Sequence, residues 1–72
     1  NISGITASFV LYPDGEQVII SARSIGSANV QMILEPLGGG GNTATAGAQM
    51  KDTTVKEALD ELVASIDKFY EE

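Results

Sequence analysis

Two short runs in this 72-residue chain carry the residue types that could do chemistry: Ser21-Ala22-Arg23-Ser24 and Gly38-Gly39-Gly40-Gly41-Asn42-Thr43. Arg23 is the only arginine, and the only basic side chain in the first fifty residues. A guanidinium offers planar, bidentate donors to a pair of anionic oxygens, and neighbouring hydroxyls complete such a shell, so Ser21, Arg23 and Ser24 suit a phosphate. The glycines admit two readings. One is a helix C-cap, with Gly38 in the left-handed conformation, running into a flexible linker. That accounts for one glycine, while each further ordered glycine costs roughly 0.5–1 kcal/mol relative to alanine. The other is a loop that a ligand approaches closely, its backbone N–H groups forming an anion nest to which Asn42 and Thr43 add donors. The run is not a Walker A loop, which needs Lys-Ser/Thr after the glycines, and it does not open a helix after a strand as a dinucleotide fingerprint does.

Composition removes other chemistries. With no histidine and no cysteine, the chain holds no thiol nucleophile, no serine–histidine pair, no histidine- or cysteine-ligated zinc and no disulfide. Ten acidic residues against four basic ones give a net charge of −6, which argues against polymeric duplex nucleic acid as a partner. A small anionic ligand held by a few placed groups is compatible with that charge. Seven of the ten carboxylates lie in residues 52–72, so the acidity belongs to the C-terminal segment. Apolar runs such as Phe9 to Tyr12 are far shorter than the roughly 20 residues that cross a bilayer. Residues 1–72 read as one domain with a limited core, since a chain of this size buries only about 60% of its unfolded surface. Asn1 follows no initiating Met and no basic leader, as expected of a piece of a longer protein.

The elements that must position these runs follow from periodicity. Residues 7–12 (ASFVLY) and 17–23 (QVIISAR) alternate and are rich in strand formers, and Pro13-Asp14-Gly15 between them suits a type I turn followed by a bulge. On the second strand Val18, Ile20 and Ala22 share one face, while Ile19, Ser21 and Arg23 share the other. Val30, Ile33, Leu34 and Leu37 recur at helical spacing, with Ser27 or Asn29 as the cap, and Pro36 ends or distorts that helix. Residues 46–51 form a short third strand. Val55, Ala58, Leu59, Leu62, Val63, Ile66, Phe69 and Tyr70 make the apolar stripe of a final amphipathic helix, opened by a Thr54/Glu57 capping box. The expected fold is α+β: a sheet of about three strands with two helices packed on it, in the order β-β-α-loop-β-α.

The run SARSIGSANVQMILEPLGGGGNTATAGAQ, about 29 residues, resembles the DHH-associated C-terminal domain (DHHA family 1) of the DHH/DHHA phosphoesterases. Serine-x-arginine-serine, a helix, a glycine run and a downstream Ala-Gly are shared across that family. Asn29-Val30-Gln31 and the fourth glycine resemble most the GdpP-type (YybT-type) cyclic di-AMP phosphodiesterases. The resemblance implies a division of labour. An upstream DHH domain of the same chain holds two manganese ions, and this domain, which binds no metal itself, closes over a cyclic dinucleotide or short nucleotide and grips the phosphate that is not attacked. It implies phosphate contacts at Ser21, Arg23 and Ser24, and a glycine loop, Gly38, Gly39, Gly40 and Gly41, that lets the nucleotide approach the backbone. It further implies a cytoplasmic domain of a parent that is membrane-anchored if GdpP-type, and it is compatible with a homodimeric parent. One position departs from the family pattern: Asn42 stands where histidine usually follows the glycines. Asparagine keeps a neutral donor but neither carries positive charge nor delivers a proton near pH 7. The alternatives are an oligoribonuclease or linear-dinucleotide phosphatase of the same family, and a non-catalytic nucleotide-binding module with the acidic helix facing a partner.

Overall fold

A computed structural model of the chain describes residues 7–70. Four antiparallel strands form one sheet: β1 (Ala7–Asp14), β2 (Gln17–Ser24), β3 (Gly40–Gly41) and β4 (Thr45–Lys51), in the spatial order β1-β2-β4-β3. Two helices, α1 (Val30–Leu34) and α2 (Val55–Phe69), complete an α+β domain. The sheet thus has one strand more than the sequence predicts. The addition is β3, where Gly40 pairs with Gly47 and Gly41 with Ala46. Glycines carry no strand propensity of their own, so only the pairing with β4 reveals it.

β1 and β2 pair from Ala7↔Ser24 to Asp14↔Gln17 without interruption. The expected type I turn with a bulge is therefore replaced by a two-residue connection, Gly15-Glu16. Gly15 takes φ +65°, the positive first position that matches the right-handed twist of the flanking strands in a type II′ turn. Pro13 lies inside β1, opposite Val18, and is tolerated there because β1 is an edge strand.

Alternation along β2 decides which face is closed. Val18, Ile20 and Ala22 are buried, and Ile20 and Ala22 cluster with Ala48 of β4, Val30, Ile33 and Leu34 of α1, and Leu62 of α2. Both helices cover this face. Asn29, one of the two expected caps, closes the start of α1 by accepting from the Met32 N–H at 3.1 Å. Pro36 acts as anticipated: the α-helix stops at Leu34 and tightens into a 3-10 turn over Glu35–Leu37, ended by Gly38 at φ +86°. The Thr54/Glu57 capping box is present at α2, and the Ser65 hydroxyl donates to the Ile33 carbonyl, tying the two helices together. The apolar stripe of α2 is only partly covered. Ala58 and Leu62 are buried and Ile66 and Phe69 half-buried, whereas Leu59, Val63 and Tyr70 are exposed.

Candidate functional site

Among the described residues the opposite face of the sheet carries no helix, and its register sets out four rows of side chains, of which three bear on the site and the fourth is Asp14, Gln17 and Lys51 at the hairpin end. Ser8 of β1, Arg23 of β2 and Thr45 of β4 form one row; Val10, Ser21, Gly47 and Gly40 the next; Tyr12, Ile19 and Gln49 the third. Directly opposite residues in antiparallel strands project to the same side. Ser21 and Arg23, two residues apart on β2, therefore rise side by side, as the alternation predicts. The row beside Arg23 falls away where two strands in succession, β4 and β3, offer only Gly47 and Gly40.

That drop creates a shallow concavity of about 530 Å³, with Arg23, Ser21, Ser8 and Thr45 on one side and Gly40, Gly41 and Gly47 across from them. The guanidinium forms no ion pair among the described residues, where the only salt bridge joins Lys56 to Asp60 on α2. The acidic residues of α2 lie on the helix that packs against the far face of the sheet, so a chain of net charge −6 presents a cation here without a carboxylate beside it. An unpaired cation in a cleft draws anions.

The four consecutive glycines have separate reasons. Gly38 holds the left-handed position after the 3-10 turn. At Gly39 an added Cβ would lie 2.5 Å from the Gly47 carbonyl oxygen and 2.9 Å from Ala48 Cβ, so the loop packs directly on β4. Gly41 combines φ +145° with a Cβ position that would collide with the Thr45 carbonyl oxygen and with Ala46. At Gly40 an added Cβ would meet nothing within 4 Å, and the backbone is one that any residue adopts. The fold explains three of the four, more than the helix-cap reading allowed. Gly40 and its partner Gly47, whose added Cβ would come no nearer than 3.4 Å to the Ile20 carbonyl oxygen, are bare for no reason internal to the fold.

The remaining predicted site residues lie elsewhere. Ser24 has the parity of the core-facing side of β2, and its hydroxyl donates to the Gly26 carbonyl at 3.1 Å. It shares with Thr43 a separate concavity at the end of the sheet, beside Asn29, and the Thr43 carbonyl accepts from the Val30 N–H. Asn42 closes the β3–β4 connection: its side-chain oxygen accepts from the N–H groups of Ala44 and Thr45, each at 2.9 Å, and its own N–H donates to the Thr45 carbonyl at 2.7 Å. Two backbone donors on one atom fix the amide's orientation, leaving its NH₂ outward. So Ser21, Arg23, Gly40 and Gly41 come together, Gly38 and Gly39 adjoin them in a neighbouring hollow, and Ser24, Asn42 and Thr43 do not join them. Sequence reasoning missed Ser8, Thr45 and Gly47. Ser8 and Thr45 have no signal except their register to Arg23, and Gly47 sits in the Ala-Gly pair downstream of the glycine run.

Among the described residues no group of three or more Asp or Glu side chains is placed to hold a metal ion, and no helix is long and apolar enough to cross a membrane.

The open face thus carries one cation, hydroxyls on three strands and a glycine floor, and the DHHA1 domain family matches residues 1–72 throughout. The chain belongs to that family. Its relatives include the cyclic-di-AMP phosphodiesterase PdeA of Listeria monocytogenes, 45% identical over 71 residues, and the cyclic-di-AMP phosphodiesterases GdpP of Geobacillus thermodenitrificans, 48% over 71 residues, and of Bacillus subtilis, 43% over 72 residues. These alignments cover 97%, 97% and 99% of this chain and 11% of the length of each relative.

Proposed function

We propose that this chain is the substrate-gripping domain of a manganese-dependent phosphodiesterase that opens cyclic di-AMP. The observation that carries the reading is the pairing of Arg23 and Ser21, side by side on β2, with the bare Gly47–Gly40 floor across from them. A phosphate seated there takes charged donors from Arg23 and hydroxyl donors from Ser21, with Ser8 and Thr45 within the same hollow, while the rest of the nucleotide lies against exposed backbone. Manganese held by an upstream DHH domain would supply the activated water. The residues of this chain bind and orient: they fix the phosphate that is not attacked, so that the other is presented in line to that water. The names of the PdeA and GdpP relatives support the cyclic dinucleotide over other phosphoesters.

The test is manganese-dependent hydrolysis of cyclic di-AMP by the full-length protein and its Arg23→Ala variant. Loss of a charged, bidentate contact costs about 1.5–3 kcal/mol, or roughly 10- to 150-fold in kcat/KM. Cleavage of short linear oligonucleotides with cyclic di-AMP left intact would place the parent among the oligoribonucleases instead. Binding without cleavage of either would make it a sensor, with Asn42 the first position to examine. The 72 residues by themselves are expected to hydrolyse nothing.

A further inference from the structure

We infer that the third row of the open face, Tyr12, Ile19 and Gln49, is a nucleobase subsite that selects adenine, an inference that rests on the phosphate-gripping reading of Arg23. A second hollow of about 540 Å³ lies along the sheet from the first and is continuous with it, since Ser21, Gly40 and Gly47 line both. Its own walls differ in chemistry. Where the first hollow has Arg23, Ser8 and Thr45, the second has an aromatic ring, a branched aliphatic chain and a side-chain amide, with the Gly38-Gly39 backbone alongside.

Tyr12 stands opposite Ile19, which stands opposite Gln49, so the three side chains rise in line across three strands. Tyr12 is 47% exposed on this uncovered face. An aromatic ring beside a flat aliphatic surface is a stacking platform for a planar heterocycle, with a stacking gain that every base can realise. The Gln49 amide makes no hydrogen bond among the described residues. An amide pairs one acceptor with one donor, the complement of the N6 amino group and N7 of adenine; guanine presents two acceptors on that edge and leaves the amide oxygen facing O6. Arg23 and Ile19 are four residues apart on one strand, about 13 Å at roughly 3.3 Å per residue, with Ser21 midway. That spacing sets a phosphate at one end of the two hollows and its base at the other, with the sugar crossing the Gly40–Gly47 floor where a side chain would obstruct it.

The test compares kcat/KM for cyclic di-AMP and cyclic di-GMP in the full-length protein and in Gln49→Leu, Tyr12→Ala and Arg23→Ala. All three side chains are exposed and away from the core, so the variants keep the fold, which thermal unfolding verifies. Gln49→Leu should lower cyclic di-AMP turnover about 5- to 150-fold and collapse the preference over cyclic di-GMP. Tyr12→Ala should lower both substrates by a similar factor, because stacking is tolerant of base identity. If Arg23→Ala impairs both substrates while Gln49→Leu and Tyr12→Ala leave rates and preference unchanged, the base lies elsewhere; the phosphate grip stands and the base subsite is overturned. If the protein cleaves neither dinucleotide, or its rate ignores Arg23→Ala, the phosphate reading fails and takes the base subsite with it.

Discussion

The two faces of β2 are separated by a single peptide step and do opposite work. Val18, Ile20 and Ala22 are covered by two helices, whereas Ser21 and Arg23, interleaved with them, face the open side. On the covered face the requirement is volume, and almost any defect is felt throughout the domain. On the open face it is the reverse: Gly47 and Gly40 matter for the volume they leave empty. On the proposed function, one strand can therefore lose binding without losing its fold, though it cannot lose its fold and keep binding.

Substitutions should separate the faces in a graded order. Ile20→Ala is expected to be the most damaging, at about 2–5 kcal/mol for a fully buried branched side chain. In a domain whose total stability is on the order of 5 kcal/mol, much of the population would unfold in a urea titration. Gly39→Ala should follow at about 1–3 kcal/mol, because its Cβ meets the Gly47 carbonyl oxygen and Ala48 rather than flexible side-chain ends. Asn42→Ala and Thr54→Ala each remove the acceptor for backbone N–H groups, one at the β3–β4 connection and one at the start of α2. Each should cost about 1 kcal/mol. Gly40→Ala should cost nothing, and can add up to about 0.5 kcal/mol by restricting the unfolded chain, yet it should weaken nucleotide binding measured by calorimetry on the full-length protein. The contrast between adjacent positions 39 and 40 is the sharpest check. Equal destabilisation by the two alanines would show that the glycine floor belongs to the fold after all and would erase the distinction between the faces.

Much of this was legible in the sequence because it rests on short-range rules. The parity of β2, the asparagine cap of α1, the disruption at Pro36 and the Thr54/Glu57 box all depend on residues within four positions of each other. What escaped depends on pairs distant in the chain. β3 is two glycines that become a strand only against β4. The packing of Gly39 and Gly41 is set by the β4 backbone, so the sequence offered the same residue four times with no means of telling apart its reasons. Ser24 reads naturally with Arg23 as part of one motif, although its parity already assigns it to the other side of the strand. The hairpin type differs from the expectation because Pro13-Asp14-Gly15 is ordinary turn chemistry, whereas the register, fixed by pairing along eight residues, places the connection at Gly15-Glu16.

The strand order has a consequence in time. The β1–β2 hairpin is closed by two residues and can form as soon as its own eighteen residues, 7–24, are available, but β4 reaches β2 only after α1 and the glycine run have been laid down between them. Contacts between distant segments form against a larger loop-closure entropy and so later than local ones. Arg23 is in place early, while Thr45, Gly47 and Gly40 arrive only when β4 docks, which makes the proposed binding face the last part of the sheet to exist. A folding or partly opened chain thus shows a solitary arginine on a hairpin, and on the proposed function ligand capture would report completion of the sheet itself.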